Sequence, residues 1–554
     1  MIDSARADVL LVNGRIYTVD KAQPWVSAIA IKAGRIVAVG SDADVRAYAG
    51  GVVKIIDLQG KMAMPGIIDI HTHIMMGGQA ELFELRFPNK ISLDGICDRV
   101  REAASKAKPG EWIIGGPWGA DQLTELNNSA ALAKLDAASL GHPVLLRDET
   151  LHNRWVNSEA MRICGITNNS EAPVNGEFPR DPGTGHLTGM MIEAASGIVE
   201  REAVASFTEE MGRASARQGI STLNSYGVTA FLDAATMQPA LAALKGLDDR
   251  GELTAWAAAS MPCVEPAFMF GMAGEELFDI AENYRSRHVF PDFVKVFLDG
   301  VPGAKTAAFH DPYVDDPIHG CCFRGSTMLT VPELIQWVGI CEERGLAVKI
   351  HCAGDAAVSQ ALDAIEVVQT FNGGPSGLRH HIAHASYIHP DDIKRFGELD
   401  VAADLSPMMW YPTNFLEGHK EAMGEARAVR FWPNRALHEA GALLAGGSDW
   451  PVIENPDPWN GIEGMITREN PSGAYKGTAL WPDQKISLET AIEIFTINSA
   501  HVLGLENEIG SIEVGKSADI IVLSQNLFEI PAHDIADTKL LTTYFEGRPI
   551  FERG

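Results

Sequence analysis

The sequence predicts an α/β protein built on a (β/α)8 TIM barrel, with a composite β-sandwich from both termini and a subdomain inserted after the first barrel strand. Between about residues 65 and 505, apolar runs typical of β-strands alternate with stretches typical of helices, which is the pattern of parallel βα units. With 554 residues, the chain can hold a barrel of about 250 residues together with insertions. The candidate barrel strands are 66–71, 229–233, 255–260, 293–298, 347–351, 381–384, 401–405 and 443–447.

The two ends of the chain consist of short β-type runs separated by turns. Near the N-terminus, the runs 9–12 and 28–31 are flanked by Gly-containing turns, which is typical of hairpins and predicts a sheet without helices. The C-terminal segments 510–523 and 541–551 have the same pattern. Neither end is long enough to bury a sheet core alone, so we expect both to form one sandwich. The predicted segments are sandwich 1–64, barrel 65–505 and sandwich 506–554.

Roughly 150 residues separate the first two candidate strands, far more than a crossover helix needs. This segment contains its own β-type runs at 112–115 and 143–146 and a stretch rich in Pro, Gly and Asn at 167–188. We therefore predict an inserted subdomain at about 80–210. An insertion after a barrel strand lies over the active-site face, so we expect it to cover that face.

Composition and charge exclude several functional classes. A formal net charge of −28 argues against binding nucleic acid or an anionic membrane. The seven cysteines have neither a zinc-ribbon spacing nor the pattern of a disulfide framework, which indicates a reducing compartment. The N-terminal residues do not resemble a secretory signal, and no run of about 18 apolar residues occurs. We expect a cytoplasmic enzyme with a small-molecule substrate and without nucleic-acid or membrane partners; assembly as a homodimer stays open.

The first candidate strand ends in two histidines separated by one residue, His71 and His73. Because side chains alternate along a strand, both imidazoles lie on the same side and can bind one metal ion. Two such histidines, taken alone, are more often surface or core residues. The metal hypothesis gains support because later strands end in further potential ligands.

Those later residues are a lysine, two histidines and an aspartate. Lys295 lies in an apolar strand, where an unpaired ammonium is costly. Reaction of its neutral amine with carbon dioxide would give a carbamate that can bridge two metal ions; the alternative is a lysine that extends to the surface. His351 and His384 end their strands, and a hydrogen-bonded core histidine is the alternative for His351. Asp449 follows the last strand, where an aspartate can also be a simple cap.

Several segments together carry a family resemblance: PGIIDIHTH at 65–73, KVFLDG at 295–300, HCAGD at 351–355, GSDWPV at 447–452 and GSIEVGKSADIIVL at 510–523. In this order the chain resembles the amidohydrolase superfamily, in particular its YtcJ-like branch, which includes N-substituted formamide deformylases. The similarity covers nearly the whole chain. The resemblance implies a TIM barrel with a composite sandwich, and it implies that Asp148 and His152 lie in the inserted part near the substrate. The metal ligands that it implies are His71, His73, Lys295, His351, His384 and Asp449.

These ligands predict the chemistry. Histidine and oxygen ligands without cysteine suit zinc, with one or two ions per chain, although manganese, iron or cobalt are alternatives. Water on such an ion becomes hydroxide near neutral pH, and Asp449 would take the proton and pass it to the departing nitrogen. We predict hydrolysis of a non-peptide C–N amide bond, in an N-acyl or N-formyl amine or an amino-acid-like amide. A cyclic-amide hydrolase or a deaminase is the alternative among enzymes, and a non-catalytic regulatory or binding barrel is the alternative outside them.

Residues near the barrel mouth predict a pocket for an apolar or aromatic group. Met409 and Trp410 follow the seventh strand, and Trp155 lies in the insertion. Side chains after barrel strands face the mouth and offer adaptable walls. Some of these side chains could instead pack the insertion onto the barrel. The arginines that could hold a single substrate carboxylate are Arg147, Arg154 and Arg379.

Overall fold

Eight parallel strands close into a barrel in the middle of the chain. The computed structural model describes residues 6–205, 207–266 and 269–554. A parallel bridge between Thr72 and Trp450 joins the first strand to the segment after the last one and closes the ring. The predicted fold class is confirmed. The barrel strands are Ile67–Thr72, Val228–Asp233, Trp256–Pro262, Val289–Phe297, Ala347–Cys352, His381–His384, Ala402–Leu405 and Leu444–Gly446.

Helices surround the barrel, and several of them bury an apolar face against it. In Gln238–Asp249, the residues Leu241, Leu244 and Leu247 recur at helical spacing and are fully buried. Helix Val331–Glu343 begins with a capping box formed by Thr330 and Glu333. No helix in the described part of the chain combines the length and the apolar character that crossing a bilayer requires. The other helices of the barrel region are Ile74–Phe83, Glu209–Ser225, Glu275–Ala281, Asp355–Asn372, Ile393–Glu398, Asn414–Met423, Glu425–Ala428, Asn434–Glu439, Pro458–Thr467, Leu488–Ile494 and Ile497–Val502.

The two chain ends share one sandwich of a four-stranded and a six-stranded sheet. The C-terminal strand Ile520–Leu523 pairs antiparallel with the N-terminal strand Met62–Pro65, so the six-stranded sheet needs both ends of the chain, whereas the four-stranded sheet contains N-terminal strands alone. The expectation of a sheet without helices was wrong, because Ser41 caps the short helix Asp42–Arg46. The remaining strands are Ala7–Val12, Arg15–Tyr17, Trp25–Val26, Ala28–Lys32, Arg35–Gly40, Ala49–Asp57, Leu540–Phe545 and Arg548–Glu552.

The segment between the first two barrel strands folds as a mixed sheet covered by helices, and we call it the lid. A buried ion-pair network holds its core, in which Glu200 accepts hydrogen bonds from Arg147 and Arg154. The lid contributes residues to the walls of the barrel mouth. Its strands are Leu85–Arg86, Ile113–Trp118, Val144–Asp148, Arg154–Val156, Gly176–Glu177 and Met190–Glu193. Its helices are Leu93–Ala104, Leu123–Leu126, Ser129–Ala138, Ser158–Ile163 and Ala194–Ala203.

Candidate metal centre

The histidine pair lies at the carboxyl end of the first barrel strand, next to the carboxylate of Asp449. The Oδ1 atom of Asp449 is 3.5 Å from Nε2 of His71 and 3.3 Å from Nε2 of His73. One potential ligand atom from each residue lies within 4.8 Å of the others. Residues more than 370 positions apart in the sequence thus meet at one point, as the strand-end argument expects.

The last strand reaches this point because it passes very close to the first one. A Cβ atom added at Gly447 would lie 2.5 Å from Cβ of His71, so only glycine fits there. Two residues later, the backbone N–H of Asp449 donates to the carbonyl of His71 at 2.6 Å. Asp449 has φ = +58°, a left-handed conformation that non-glycine residues rarely adopt. Such strain is typical of functional sites, where the surrounding structure fixes a side chain in place.

The other two candidate histidines line the same cavity as the pair. The ring of His384 lies 4.8 Å from that of His71 and 4.4 Å from that of His351, measured between centroids. Nδ1 of His384 donates to the carbonyl of Ser406 at 3.0 Å, which leaves Nε2 for an ion. Nε2 of His351 lies 3.2 Å from the carbonyl oxygen of Gly300, which leaves Nδ1 of His351 available to an ion. Burial holds the pKa of both imidazoles well below the usual value, so both are neutral and able to act as ligands.

Lys295 also lines the cavity and is 1 % exposed. Its ammonium lies 4.7 Å from the ring centroid of Phe297, and no ion pair or hydrogen bond of its side chain is found among the described residues. Burial, reinforced by the charge of Lys349, lowers the pKa of Lys295 to about 7. Its amine is therefore partly neutral at neutral pH, which is the form that reacts with carbon dioxide.

Behind the histidine pair lies a buried group that the sequence argument missed. Asp404, on the seventh strand, accepts a hydrogen bond from Nδ1 of His71 at 2.7 Å. Lys349, on the fifth strand, donates to the same carboxylate and to the carbonyl of Ile70 at 3.0 Å. Asp404 fixes the tautomer of His71 and presents its Nε2 to the cavity. The signal was present in the sequence as a lone aspartate inside the apolar run 401–405.

The donor set fits a divalent metal ion. Nε2 of His71 and Nδ1 of His73 are buried and have no hydrogen-bond partner among the described residues, although unpaired buried nitrogens are costly. The pKa of His71 is held well below its usual value by burial and by the charge of Lys349, so its imidazole is neutral. Imidazole nitrogens that lie beside a carboxylate in this way form a site for zinc or a related ion.

The cavity above these ligands has a volume of about 420 Å³. Among the residues expected to bind substrate, Asp148, His152 and Met409 line it. Asp148 accepts hydrogen bonds from Asn153 and Thr150, and burial raises its pKa. It therefore holds the turn that carries His152. Apolar wall residues that the sequence argument did not name are Leu123, Phe297, Val301, Phe415, Phe431, Trp432 and Val452.

Three other expected substrate contacts are absent from the cavity walls. Trp155 is fully buried in the core of the lid, and Trp410 is fully buried in the main core, where its ring packs against Trp432 and Phe495. Arg379 precedes the sixth strand at the end of the barrel opposite the cavity, and it pairs with Glu506. These positions correct the sequence-based assignment, because a residue near a strand end in the sequence can still point into the core.

Comparison with known proteins decides the family. A model of the amidohydrolase family matches residues 54–551. The chain belongs to the amidohydrolase family. It is 30% identical to protein LONG AFTER FAR-RED 3 of Arabidopsis thaliana, over 98% of this chain and 92% of that protein. It is 25% identical to N-substituted formamide deformylase of Arthrobacter pascens, over 99% of this chain and 98% of that protein.

The fold of this amidohydrolase is similar to the crystal structure of an uncharacterized metal-dependent hydrolase from Pyrococcus horikoshii OT3. The two have a TM-score of 0.73 and 25% sequence identity, and the match covers 95% of this chain and 99% of the Pyrococcus chain. Family membership makes the chain an enzyme that hydrolyses carbon–nitrogen bonds. The resemblance and the reaction class expected from the sequence are thereby confirmed at this level.

Proposed function

We propose that this amidohydrolase cleaves a non-peptide amide bond of an N-acyl or N-formyl amine that carries an apolar or aromatic group. The observation that carries the proposal is the group of His71, His73 and Asp449, with unpaired imidazole nitrogens, at the floor of a largely apolar cavity. Histidines 351 and 384 and Lys295 would complete a site for zinc, with one or two ions. A bound divalent ion would polarise the substrate carbonyl and lower the pKa of a water molecule.

Asp449 has the position of the proton carrier. Its Oδ1 atom faces the histidine pair, and its Oδ2 atom is 3.9 Å from Nδ1 of His384. The carboxylate would accept a proton from the attacking water and return it to the nitrogen of the departing amine, which is a poor leaving group unless it is protonated. The backbone hydrogen bond from Asp449 to His71 holds the carboxylate in a position from which it could reach both the water and the departing nitrogen.

Charge around the cavity favours neutral substrates over anionic ones. Among the described wall residues the lysines are Lys295 and Lys305, and Lys305 pairs with Asp316. The arginines predicted to hold a substrate carboxylate form ion pairs with glutamates away from the cavity walls. Exposed carboxylates at the cavity wall would repel an anion further; they are Asp121, Glu417 and Glu421. An amide without a carboxylate is therefore favoured over an amino-acid-like amide.

The alternatives are distinguished by the substrate that reacts. A cyclic amide or an aminopurine could be attacked at the same site, and the cavity is large enough for either. A non-catalytic barrel is disfavoured, because family membership and the full ligand set both indicate an enzyme. The net charge of −28 and seven free thiols support a cytoplasmic location and an absence of nucleic-acid partners.

A substrate panel tests the proposal. The zinc-loaded enzyme is offered N-benzylformamide, N-methylformamide, N-acetylbenzylamine, N-formylphenylalanine, a cyclic amide and adenine. We expect N-benzylformamide to react fastest and N-formylphenylalanine, which carries a carboxylate, to react poorly. We expect His73→Ala to abolish turnover. His389→Ala is the matched control, because this exposed histidine lies outside the cavity. Turnover of adenine or the cyclic amide alone would contradict the proposal and favour a deaminase or a cyclic-amide hydrolase.

A further inference from the structure

Glu193 has a strained backbone at the end of a lid strand. Its φ and ψ angles are +48° and −121°, a region that is costly for any residue with a side chain. It is the last residue of strand Met190–Glu193 and directly precedes helix Ala194–Ala203, and its carboxylate is nearly buried. A strained residue of this kind persists only where the structure around it needs the side chain in one place.

The carboxylate of Glu193 joins the lid to the barrel. Its Oε2 atom accepts a hydrogen bond from Nδ1 of His152 at 2.9 Å, and its Oε1 atom accepts one from the hydroxyl of Thr306 at 2.7 Å. Thr306 lies in the loop after the fourth barrel strand. A Cβ atom at Gly300 in this loop would lie 2.2 Å from the Thr306 hydroxyl and 2.8 Å from Oε1, so this contact requires glycine.

His152 is the member of this group that faces the cavity. Its ring lies 6.0 Å from that of His351, between centroids, and it shares the cavity wall with the candidate metal ligands. The hydroxyl of Ser196 donates to the backbone carbonyl of His152 at 2.9 Å and fixes the backbone as well. Because Nδ1 donates to Glu193, the ring can donate a second hydrogen bond only from Nε2, and only when both nitrogens carry a proton. Burial opposes this imidazolium form, but the carboxylate of Glu193 outweighs burial and raises the pKa of His152.

We propose that His152 donates a hydrogen bond from Nε2 to the substrate carbonyl oxygen, and that Glu193 is the positioning residue that holds the ring for this purpose. This inference rests on the proposed amide hydrolysis. The developing negative charge on that oxygen would be stabilised from the lid side, opposite the floor of the cavity. No covalent step is involved. The lid would then be part of the catalytic site as well as its cover.

Kinetics of lid variants with N-benzylformamide test the inference. Losing one such donor typically lowers kcat about 100-fold or more, so we expect this for His152→Ala, with unchanged zinc content. Glu193→Gln keeps the shape of the side chain but removes the charge that holds the ring, and we expect it to lower kcat about tenfold with little effect on KM. The double variant should be no worse than His152→Ala, because Glu193 acts through His152.

Controls separate positioning from stability. Glu202→Gln changes an exposed glutamate on the adjacent helix and should keep the wild-type kcat. Thr306→Val removes the second hydrogen bond of Glu193. Its kcat should lie between the values of wild type and Glu193→Gln. Thermal unfolding is recorded for every variant. Wild-type kcat in Glu193→Gln, or additive losses in the double variant, would overturn the inference.

A binding measurement keeps the inference testable if the proposed substrate class fails. Acetohydroxamate is small, and its carbonyl oxygen can accept a hydrogen bond from the lid side. Its binding to the zinc-loaded enzyme is measured by calorimetry. We expect His152→Ala and Glu193→Gln to bind it about tenfold more weakly than wild type. Equal binding by all three proteins would overturn the inference, whereas weaker binding without amide turnover would support the inference and contradict only the proposed substrate class.

Discussion

Lys295 and Lys349 lie directly opposite each other on neighbouring barrel strands, and both are almost fully buried. Lys349 is surrounded by acceptors: it donates to Asp404 and to the carbonyl of Ile70, and it lies 3.3 Å from Nε2 of His381. Lys295 has the ring of a phenylalanine beside it and the open cavity in front of it. Burial is therefore the same at both positions, and the partners differ.

This difference separates a structural lysine from a chemical one. Burying a charge is tolerated when it is paired and hydrogen-bonded, as Lys349 is. Burial lowers the pKa of both lysines, but Asp404 raises that of Lys349 again, whereas the pKa of Lys295 falls to about 7. Of the two, Lys295 lines the cavity beside the histidines, where a carbamate would have space. The comparison teaches that the partners of a buried charge, more than its burial, indicate function.

The largest difference between the two lysines is expected on removing their charges. Lys295→Met should lower activity about a thousandfold, because several kcal/mol of metal-dependent stabilisation of the transition state would be lost. The protein should stay folded. Lys349→Met should cost about 3–5 kcal/mol of unfolding free energy, because it leaves Asp404 buried without its partner. Turnover and urea denaturation measure the two effects. Equal behaviour of the two variants would break the comparison.

The proposed carboxylation of Lys295 would depend on pH, which gives a second test of the comparison. With a pKa of about 7, the amine is mostly neutral at pH 8 and mostly protonated at pH 6. Since only the neutral amine reacts with carbon dioxide, bicarbonate should speed zinc reconstitution of the apoprotein at pH 8 and have much less effect at pH 6. Lys295→Met is the control and should not respond to bicarbonate. One ion per chain without any bicarbonate dependence would leave Lys295 as a plain lysine.

Asp404 connects Lys349 to the candidate metal centre, and its replacement should have a smaller effect. Asp404→Asn keeps the size of the side chain but weakens the hydrogen bond that orients His71. We expect metal affinity, measured by competition with a chelator, to fall by about 10- to 100-fold. Asp391→Asn, at an exposed position, is the matched control. Wild-type affinity in Asp404→Asn would mean that His71 is held by the fold alone.

The smallest predicted effect concerns specificity at the cavity wall. Met409→Ala should lower the preference for N-benzylformamide over N-methylformamide by about tenfold, since an apolar contact with the larger group is lost. Trp410→Ala should leave that preference unchanged but destabilise the core by about 3–5 kcal/mol. The ratio of kcat/KM for the two amides decides between these outcomes. If neither substitution alters the ratio, the benzyl group binds elsewhere.

The sequence was sufficient to predict the barrel because strand and helix patterns alternate clearly from 65 to 505, and each strand was placed within a few residues. It also predicted which strand ends meet, because the carboxyl ends of parallel strands converge. The substrate contacts were harder to predict. The direction of Trp155, Trp410 and Arg379 depends on loop geometry and on long-range partners, which local patterns do not encode. Asp404 was missed for a similar reason: its partners His71 and Lys349 come from other strands.

The central claim is that His71, His73 and Asp449 form a metal centre, and metal content tests it most directly. The protein is purified without added metal, and zinc, manganese, iron and cobalt are quantified per chain for wild type, His73→Ala and the control His389→Ala. We predict one or two ions per chain in wild type and in His389→Ala, and a clear loss in His73→Ala, which should stay folded because the sandwich and barrel cores do not depend on the ion alone. Wild-type protein that holds no stoichiometric metal, and takes up none when it is supplied, would contradict the account.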